Sequence, residues 1–247
     1  MRASDFRAFI FAAGEGRRLK PYTESVPKPM VHIAGKPILD HTFRHLETVG
    51  ISKVAMNSFY KKEAIRAFVR DYQGLIDISL SEEDELLNTG LGLKRALPTM
   101  GGKPFYAING DAFWTDKAGE GENALERLAE AWSPEIMDIL LLLQPVSNMI
   151  LTKGVGDYAL DKQGRAIRQK DQAGDYMFAG IRICKPEIFE NTPESPFGFL
   201  DLMDRAEAQG RLFGVVHTGD WHHISTPDDL ERVNEAFSAN LPKEVCA

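Results

Sequence analysis

The chain has 247 residues, 43% of them hydrophobic and 26% charged, with a formal net charge of −7. That length suits one α/β domain whose core is large enough to need no disulfide or structural metal. The acidic balance excludes a nucleic-acid binder, which needs a basic face against phosphates, so a polyanionic substrate must be held by a few well-placed cations.

Cys184 and Cys246 are far apart and form no CxxC or Cys/His zinc spacing, which predicts a reduced chain in the cytoplasm. The longest apolar stretch, Ile136 to Leu143, is interrupted by Asp138 and ends at Gln144-Pro145. It is too short to span a bilayer, so no membrane partner is expected. Near the start, Arg2, Asp5 and Arg7 precede a brief Phe9–Ala13 run, a pattern that does not suit a signal peptide.

Apolar runs alternate with helical periodicity along the first half. Strands are predicted at Phe6–Ala12, Lys53–Asn57, Ile76–Ser81, Phe105–Asn109 and Met137–Leu143. Helices are predicted at Ile38–Val49, Lys61–Tyr72, Leu91–Leu97 (stopped by Pro98) and Asn123–Ala131. This alternation implies an α/β fold: a Rossmann-like, mostly parallel mixed sheet with helices on both faces. After Pro145 come short strands at Gly154–Leu160, Ala166–Gln169 and Tyr176–Cys184, then helices at Phe199–Ala208 and Pro227–Ser238 around a strand at Leu212–His217. No Ser/Gly/Pro linker separates the halves, so the chain reads as a single domain over residues 1–247.

The first strand runs straight into Ala12-Ala13-Gly14-Glu15-Gly16-Arg17-Arg18-Leu19-Lys20-Pro21. A glycine-rich turn at the C-terminal end of a strand lets backbone N–H groups approach a phosphate. Basic residues follow at Arg17, Arg18, Lys20 and Lys28, the last confined between Pro27 and Pro29. The dinucleotide fingerprint fails because Leu19 stands where its third glycine belongs, and there is no GxxxxGK[ST] sequence. Further on, the Phe105–Asn109 strand ends in Gly110-Asp111. An acid at that edge suits Mg²⁺, which is commonly held by one or two carboxylates plus phosphate oxygens.

The stretch Ala12–Pro21, the Pro27-Lys28-Pro29-Met30 segment and Asn109-Gly110-Asp111 together resemble the signature of sugar-1-phosphate nucleotidylyltransferases, over nearly the full length. The resemblance implies the nucleotide-diphospho-sugar transferase (GT-A-like) fold, with residues 1–145 as a nucleotide-binding half and 146–247 as a sugar-binding half. It implies catalytic roles for Arg18, Lys28 and Asp111. It also implies a nucleotide site built from Ala12, Ala13, Gly14, Gly16, Glu82, Thr89, Gly90 and Asn109. The expected substrates are a nucleoside triphosphate and a sugar 1-phosphate, and the expected cofactor is Mg²⁺, with Mn²⁺ as the alternative. The expected assembly is a monomer or small homo-oligomer.

Asn88-Thr89-Gly90, Arg95–Pro98, Phe105–Asp116, Gly156-Asp157-Tyr158 and Phe178–Ile181 are similar to the group that uridylylates N-acetylmuramate 1-phosphate in peptidoglycan recycling. UTP is the implied nucleotide. By that analogy Asp157, Lys170, Tyr176 and Gly180 would meet the sugar phosphate. Mannose- and heptose-1-phosphate guanylyltransferases share much of the pattern and stay open as alternatives. One departure matters. The family places a second metal-binding aspartate in a Trp-x-Asp setting, whereas this chain reads Trp221-His222-His223. Imidazole suits softer divalent ions than Mg²⁺. His223 could therefore ligate a metal, Asp111 could serve without it, or the chain could be a non-catalytic sensor of sugar nucleotides.

Overall fold

The computed structural model describes residues 1–117 and 123–238, and Cys246 lies outside them. Strand β1 (Ala8–Phe11) leads through 3₁₀ turns at Arg17–Leu19 and Lys28–Met30 into a small hairpin, β2 (His32–Ile33) and β3 (Lys36–Pro37). Then come α1 (Ile38–Thr48), β4 (Lys53–Ser58), α2 (Lys62–Asp71), β5 (Asp77–Glu82), α3 (Asn88–Met100) and β6 (Phe105–Asn109). They are followed by β7 (Phe113–Thr115), α4 (Ala124–Ala131) and β8 (Ile139–Pro145). The second half supplies β9 (Tyr158–Leu160), β10 (Ala166–Arg168), β11 (Tyr176–Cys184), α5 (Phe199–Ala208), β12 (Leu212–Val216), β13 (Asp220–His222) and α6 (Pro227–Ser238).

One sheet runs through both halves. Strands β5, β4, β1 and β6 lie side by side and parallel. Strand β11 pairs antiparallel with β6 and with β8, and β12 pairs parallel with β8. Strands β9 and β10 extend the edge beyond β11. The chain steps from β1 to β4 and β5 on one side, then returns to β6 on the other. Loops leaving the C-terminal ends of β1 and β6 therefore diverge and open a crevice, the usual ligand position in such sheets.

Both faces are covered. Along β1, Ala8 and Ile10 pack with Leu39, Phe43 and Leu46 of α1 and Leu125 and Leu128 of α4. Phe9 and Phe11 pack the other way, with Leu91 and Leu93 of α3 and Phe199 and Leu202 of α5. Burial on both faces is why the strand reads as a continuous apolar run with no alternation. A third cluster sets Leu19 of the loop after β1 and Ile33 of the hairpin against Phe113, Ile224, Leu230 and Val233, so α6 clamps that loop from the far end of the chain. Each such aliphatic side chain removed from water contributes about 1.5–3 kcal/mol.

One sequence expectation changes. Pro98 does not stop α3, which continues to Met100. In the last turn the proline forfeits one backbone bond, and burial of Met100 holds the turn closed until Gly101, at φ 72, ends the helix. Thr89 lies in the first turn of α3. Leu87 occupies the N-cap, and Thr89 Oγ1 accepts a hydrogen bond from Phe199 N–H (2.8 Å) at the start of α5. Cys184 is a buried free thiol, and loss of solvent pushes its pKa up to about 12, so it is chemically quiet. Among the described residues no helix is long and apolar enough to cross a membrane.

Candidate active site

The loop after β1 is built to expose backbone and cations together. Ala12 N–H donates to Asn57 Oδ1 (2.9 Å), which fixes where the chain leaves the sheet. Gly16 then turns with φ +61, and a Cβ there would lie 3.0 Å from both Lys28 Cβ and Thr23 Cγ2. The Gly16 carbonyl accepts from Thr23 Oγ1 and from Leu19 N–H, each at 2.9 Å. With Leu19 buried beneath, Gly14, Arg17 and Arg18 are left at the surface. Arg17 is paired with Glu15. Arg18 forms no ion pair with a described residue.

Asp111 reaches this loop because Gly110 lets β6 end hard against β1. Gly110 N–H donates to Phe11 O (2.9 Å), and a Cβ on Gly110 would sit 2.5 Å from that oxygen and 2.9 Å from Pro29 Cγ. The result is an ion pair between Lys28 Nζ and Asp111 Oδ2 at 2.7 Å, with side-chain exposures of 13% and 39%. Burial would push the Asp111 carboxyl up, but the charge and hydrogen bond of Lys28 outweigh it and hold the pKa below the ordinary value.

A cavity of about 350 Å³ occupies the crevice. Gly14, Gly16, Arg18, Lys28, Thr89, Asn109 and Asp111 line it, joined by Phe11, Arg17, Leu19, Pro29 and Ser225. Ala12 and Ala13 are buried just behind the loop. Gly90 sits behind Thr89, its N–H donating to Phe197 O (2.8 Å). His223 is half-buried two residues before the lining Ser225. Its pKa is lowered first by burial, then by the charges of Lys28 and Arg18, against the opposing pull of Asp111. The ring is therefore neutral at pH 7 and within the field of the Lys28–Asp111 pair. It stacks on Trp221 (5.6 Å between ring centres), and the His223 backbone N–H donates to Thr152 Oγ1 (2.9 Å).

Other anticipated residues lie elsewhere. Glu82 is not among the cavity-lining residues and makes a two-pronged ion pair with Arg66. Lys170 is exposed on a turn. Asp157, Tyr176 and Gly180 are also outside the lining. Asp157 Oδ1 accepts from Phe178 N–H (2.9 Å), and Gly180 lies against Asn109.

Three residues that sequence reasoning missed organise the walls. Glu83, 3% exposed, accepts from Asn57 Nδ2 (2.7 Å) and Leu87 N–H (3.2 Å), so a buried chain runs from Glu83 through Asn57 to Ala12. Arg182 is likewise 3% exposed and donates to Asn109 Oδ1 (3.0 Å). The available signals were a polar residue ending the strand beside β1 and an arginine inside an apolar strand, where a buried charge is costly.

Against the residues present, a divalent cation fits as a guest of Asp111 and neutral His223. Among the described residues no group of three His, Cys, Asp or Glu side chains could cage an ion alone, so phosphate oxygens must complete the shell.

Comparison with known proteins identifies the family and the fold. The model of the family described as nucleotidyl transferase matches residues 7–238. The N-acetylmuramate alpha-1-phosphate uridylyltransferase of Caulobacter vibrioides is 35% identical over 226 residues, covering 89% of this chain and 92% of that protein. A protein of the same name from Neisseria meningitidis is 28% identical over 223 residues, covering 89% and 93%. Among solved structures, HddC from Yersinia pseudotuberculosis complexed with GMP-PN superposes with a TM-score of 0.76 at 24% identity, covering 94% of this chain and 99% of that one. UDP-glucose pyrophosphorylase from Acinetobacter baumannii gives 0.75 at 16%, covering 96% and 95%. The two structures share the fold. The chain belongs to the nucleotidyl transferase family, and it is an enzyme of the sugar-1-phosphate nucleotidyltransferase class.

Proposed function

We propose that the chain transfers a uridylyl group from UTP to N-acetylmuramate 1-phosphate, releasing pyrophosphate, as one cytoplasmic domain of peptidoglycan recycling. The observation that carries this reading is the joining of Lys28, Asp111 and Arg18, which has no ion pair among the described residues, in one crevice, in a chain 35% identical to a uridylyltransferase of that name.

The sugar phosphate is already an anion at neutral pH, so its oxygen attacks the α-phosphorus without a general base. What remains is positioning and charge neutralisation, the terms that dominate phosphoryl-type transfer. Loop N–H groups and Arg18 receive the β- and γ-phosphates, and Arg18 stabilises the departing pyrophosphate. Lys28 lies between the loop and Asp111, where it can bridge the α-phosphate and the incoming oxygen. Mg²⁺ or Mn²⁺, held by Asp111 with His223 beside it, would supply Lewis-acid charge neutralisation. Thr89, Gly90 and Asn109 form the nucleoside wall, and the second half accommodates the sugar.

The test is pyrophosphate release over a panel of triphosphates and sugar 1-phosphates with Mg²⁺ and Mn²⁺ compared. UTP with N-acetylmuramate 1-phosphate should be the preferred pair. Preference for GTP would move the chain to the guanylyltransferases, whose rice member named probable mannose-1-phosphate guanylyltransferase 1 is 28% identical over 230 residues. Nucleotide binding without release for any pair would make it a sensor.

A further inference from the structure

Arg182 is a cation in a place that disfavours cations. It is 3% exposed, on β11, just past the bulge between Phe178 and Arg182 at which Gly180 adopts φ +77. It forms no ion pair with a described carboxylate, and its Nε is sealed from solvent with no hydrogen-bond partner among the described residues. Three aromatic rings surround the guanidinium carbon, Phe199 at 4.1 Å, Phe178 at 5.0 Å and Phe11 at 5.1 Å. Ring faces offset part of the desolvation cost, but an unpaired buried charge is still destabilising relative to an apolar side chain of its size. Burial draws its pKa down to about 10, so it stays protonated at neutral pH.

What the cation touches explains its presence. Phe11 and Asn109 both line the cavity, and Phe199 N–H is tied to the lining residue Thr89. One guanidinium thus touches two lining residues, Phe11 and Asn109, and the ring of Phe199, whose N–H is tied to a third. Its polar contact with that wall is specific. Arginine can only donate, so the Asn109 atom facing it must be the carbonyl oxygen. The same amide's Nδ2 is left without a hydrogen bond to any described residue, on a residue that borders the cavity.

We propose that Arg182 is a positioning residue that fixes the polarity of the Asn109 amide, so that the cleft is offered an N–H donor and not a carbonyl, and that this donor engages an acceptor oxygen of the bound nucleotide. The inference rests on the functional reading above for its kinetic readout.

The experiment is a double-mutant cycle on Arg182→Met and Asn109→Ala, with Arg182→Lys as the conservative variant. kcat and KM for UTP are measured together with thermal unfolding. Arg182→Met should unfold at or above the wild-type temperature, because an unpaired buried charge has gone. Its kcat/KM for UTP should nevertheless fall about tenfold. Asn109→Ala should lose a similar factor, and the double variant should be no worse than Asn109→Ala alone. Arg182→Lys, which retains a donor, should recover part of the loss. Arg182→Met with kcat/KM within about twofold of wild type would overturn the proposal. So would a double variant losing the product of the two single effects, or an activity loss that follows a fall in unfolding temperature with no recovery in Arg182→Lys. A wild-type chain with no turnover would count against the functional reading instead. The inference is then read on the ligand-free protein by ¹⁵N NMR, where Arg182→Met should shift the Asn109 side-chain NH₂ resonances, identified by their loss in Asn109→Ala. Unmoved resonances would overturn it.

Discussion

Lys28 and Asp111 stand 83 positions apart in the chain and meet at 2.7 Å across the mouths of two adjacent parallel strands. The pair holds the lysine aimed inside a crevice before any substrate arrives. Removing one contact of this kind commonly costs on the order of 3 kcal/mol in the transition state, or about a hundredfold in rate. Asp111→Asn and Lys28→Ala should each lower pyrophosphate release by at least about that factor. Calorimetric titration with UTP should separate them. Lys28→Ala loses affinity as well as rate, whereas Asp111→Asn frees Lys28 and removes a negative charge, so binding without metal should hold or tighten. Near-normal release by either variant would remove the pair from the chemistry.

On the proposed reading, His223 sets which metal the site prefers. Its neutral imidazole is a softer ligand than the carboxylate of related sequences, which favours Mn²⁺ over Mg²⁺ relative to an all-oxygen site. His223→Asp should therefore raise the ratio of Mg²⁺- to Mn²⁺-supported activity, and His223→Ala should lower activity with both. Metal-dependence curves of the three proteins provide the check, and an unchanged ratio in both variants would exclude His223 from the metal shell.

The α/β fold and the crevice were legible because their signals are local. Continuous apolar strands such as Ile139–Leu143, the Gly14/Gly16 turn and the Gly110-Asp111 strand end each carry their meaning in a few consecutive residues. Glu82 and Glu83 show where locality fails. A period of two says that neighbours in a strand point opposite ways, but not which one faces inward. The answer lies in a contact outside the strand, the bond from Glu83 N–H to Ser58 O (2.8 Å) that carries Glu83 over the end of β4 to Asn57. What Arg182 packs against was illegible for a similar reason. Its three rings come from β1, β11 and the start of α5 and assemble only in the folded chain.

The Glu83–Asn57–Ala12 chain makes a separate prediction. Burial raises the Glu83 pKa, while Asn57, the Leu87 N–H and the charge of Arg95 draw it down. Glu83→Ala leaves the Asn57 amide and the Leu87 N–H without buried partners, at about 1–3 kcal/mol. For a chain of this size that is roughly 2–4 °C of unfolding temperature per kcal/mol. Loss of Asn57's anchor also releases Ala12 at the root of the phosphate loop, so KM for the triphosphate should rise. Thermal scans and initial rates test both, and a destabilised variant with unchanged KM would separate this chain from nucleotide binding.

Asp157 supplies the pH dependence. Burial raises its carboxyl from 3.8 to about 6, and the bond from Phe178 N–H lowers it only in part. A carboxyl with a raised folded pKa stabilises the fold while protonated, and that contribution is lost as pH rises through about 6. Below about pH 4 both folded and unfolded chains are protonated at this position, so nothing is lost there. Asp157→Asn keeps an oxygen for Phe178 N–H and cannot ionise. Its stability relative to wild type should be similar at pH 4, grow between pH 4 and 6, and level off above, at no more than about 3 kcal/mol. Thermal unfolding of both proteins at intervals from pH 4 to 8 measures this. A difference that does not change with pH would mean that the carboxyl titrates as an ordinary surface acid and that Phe178 N–H binds its ionised form.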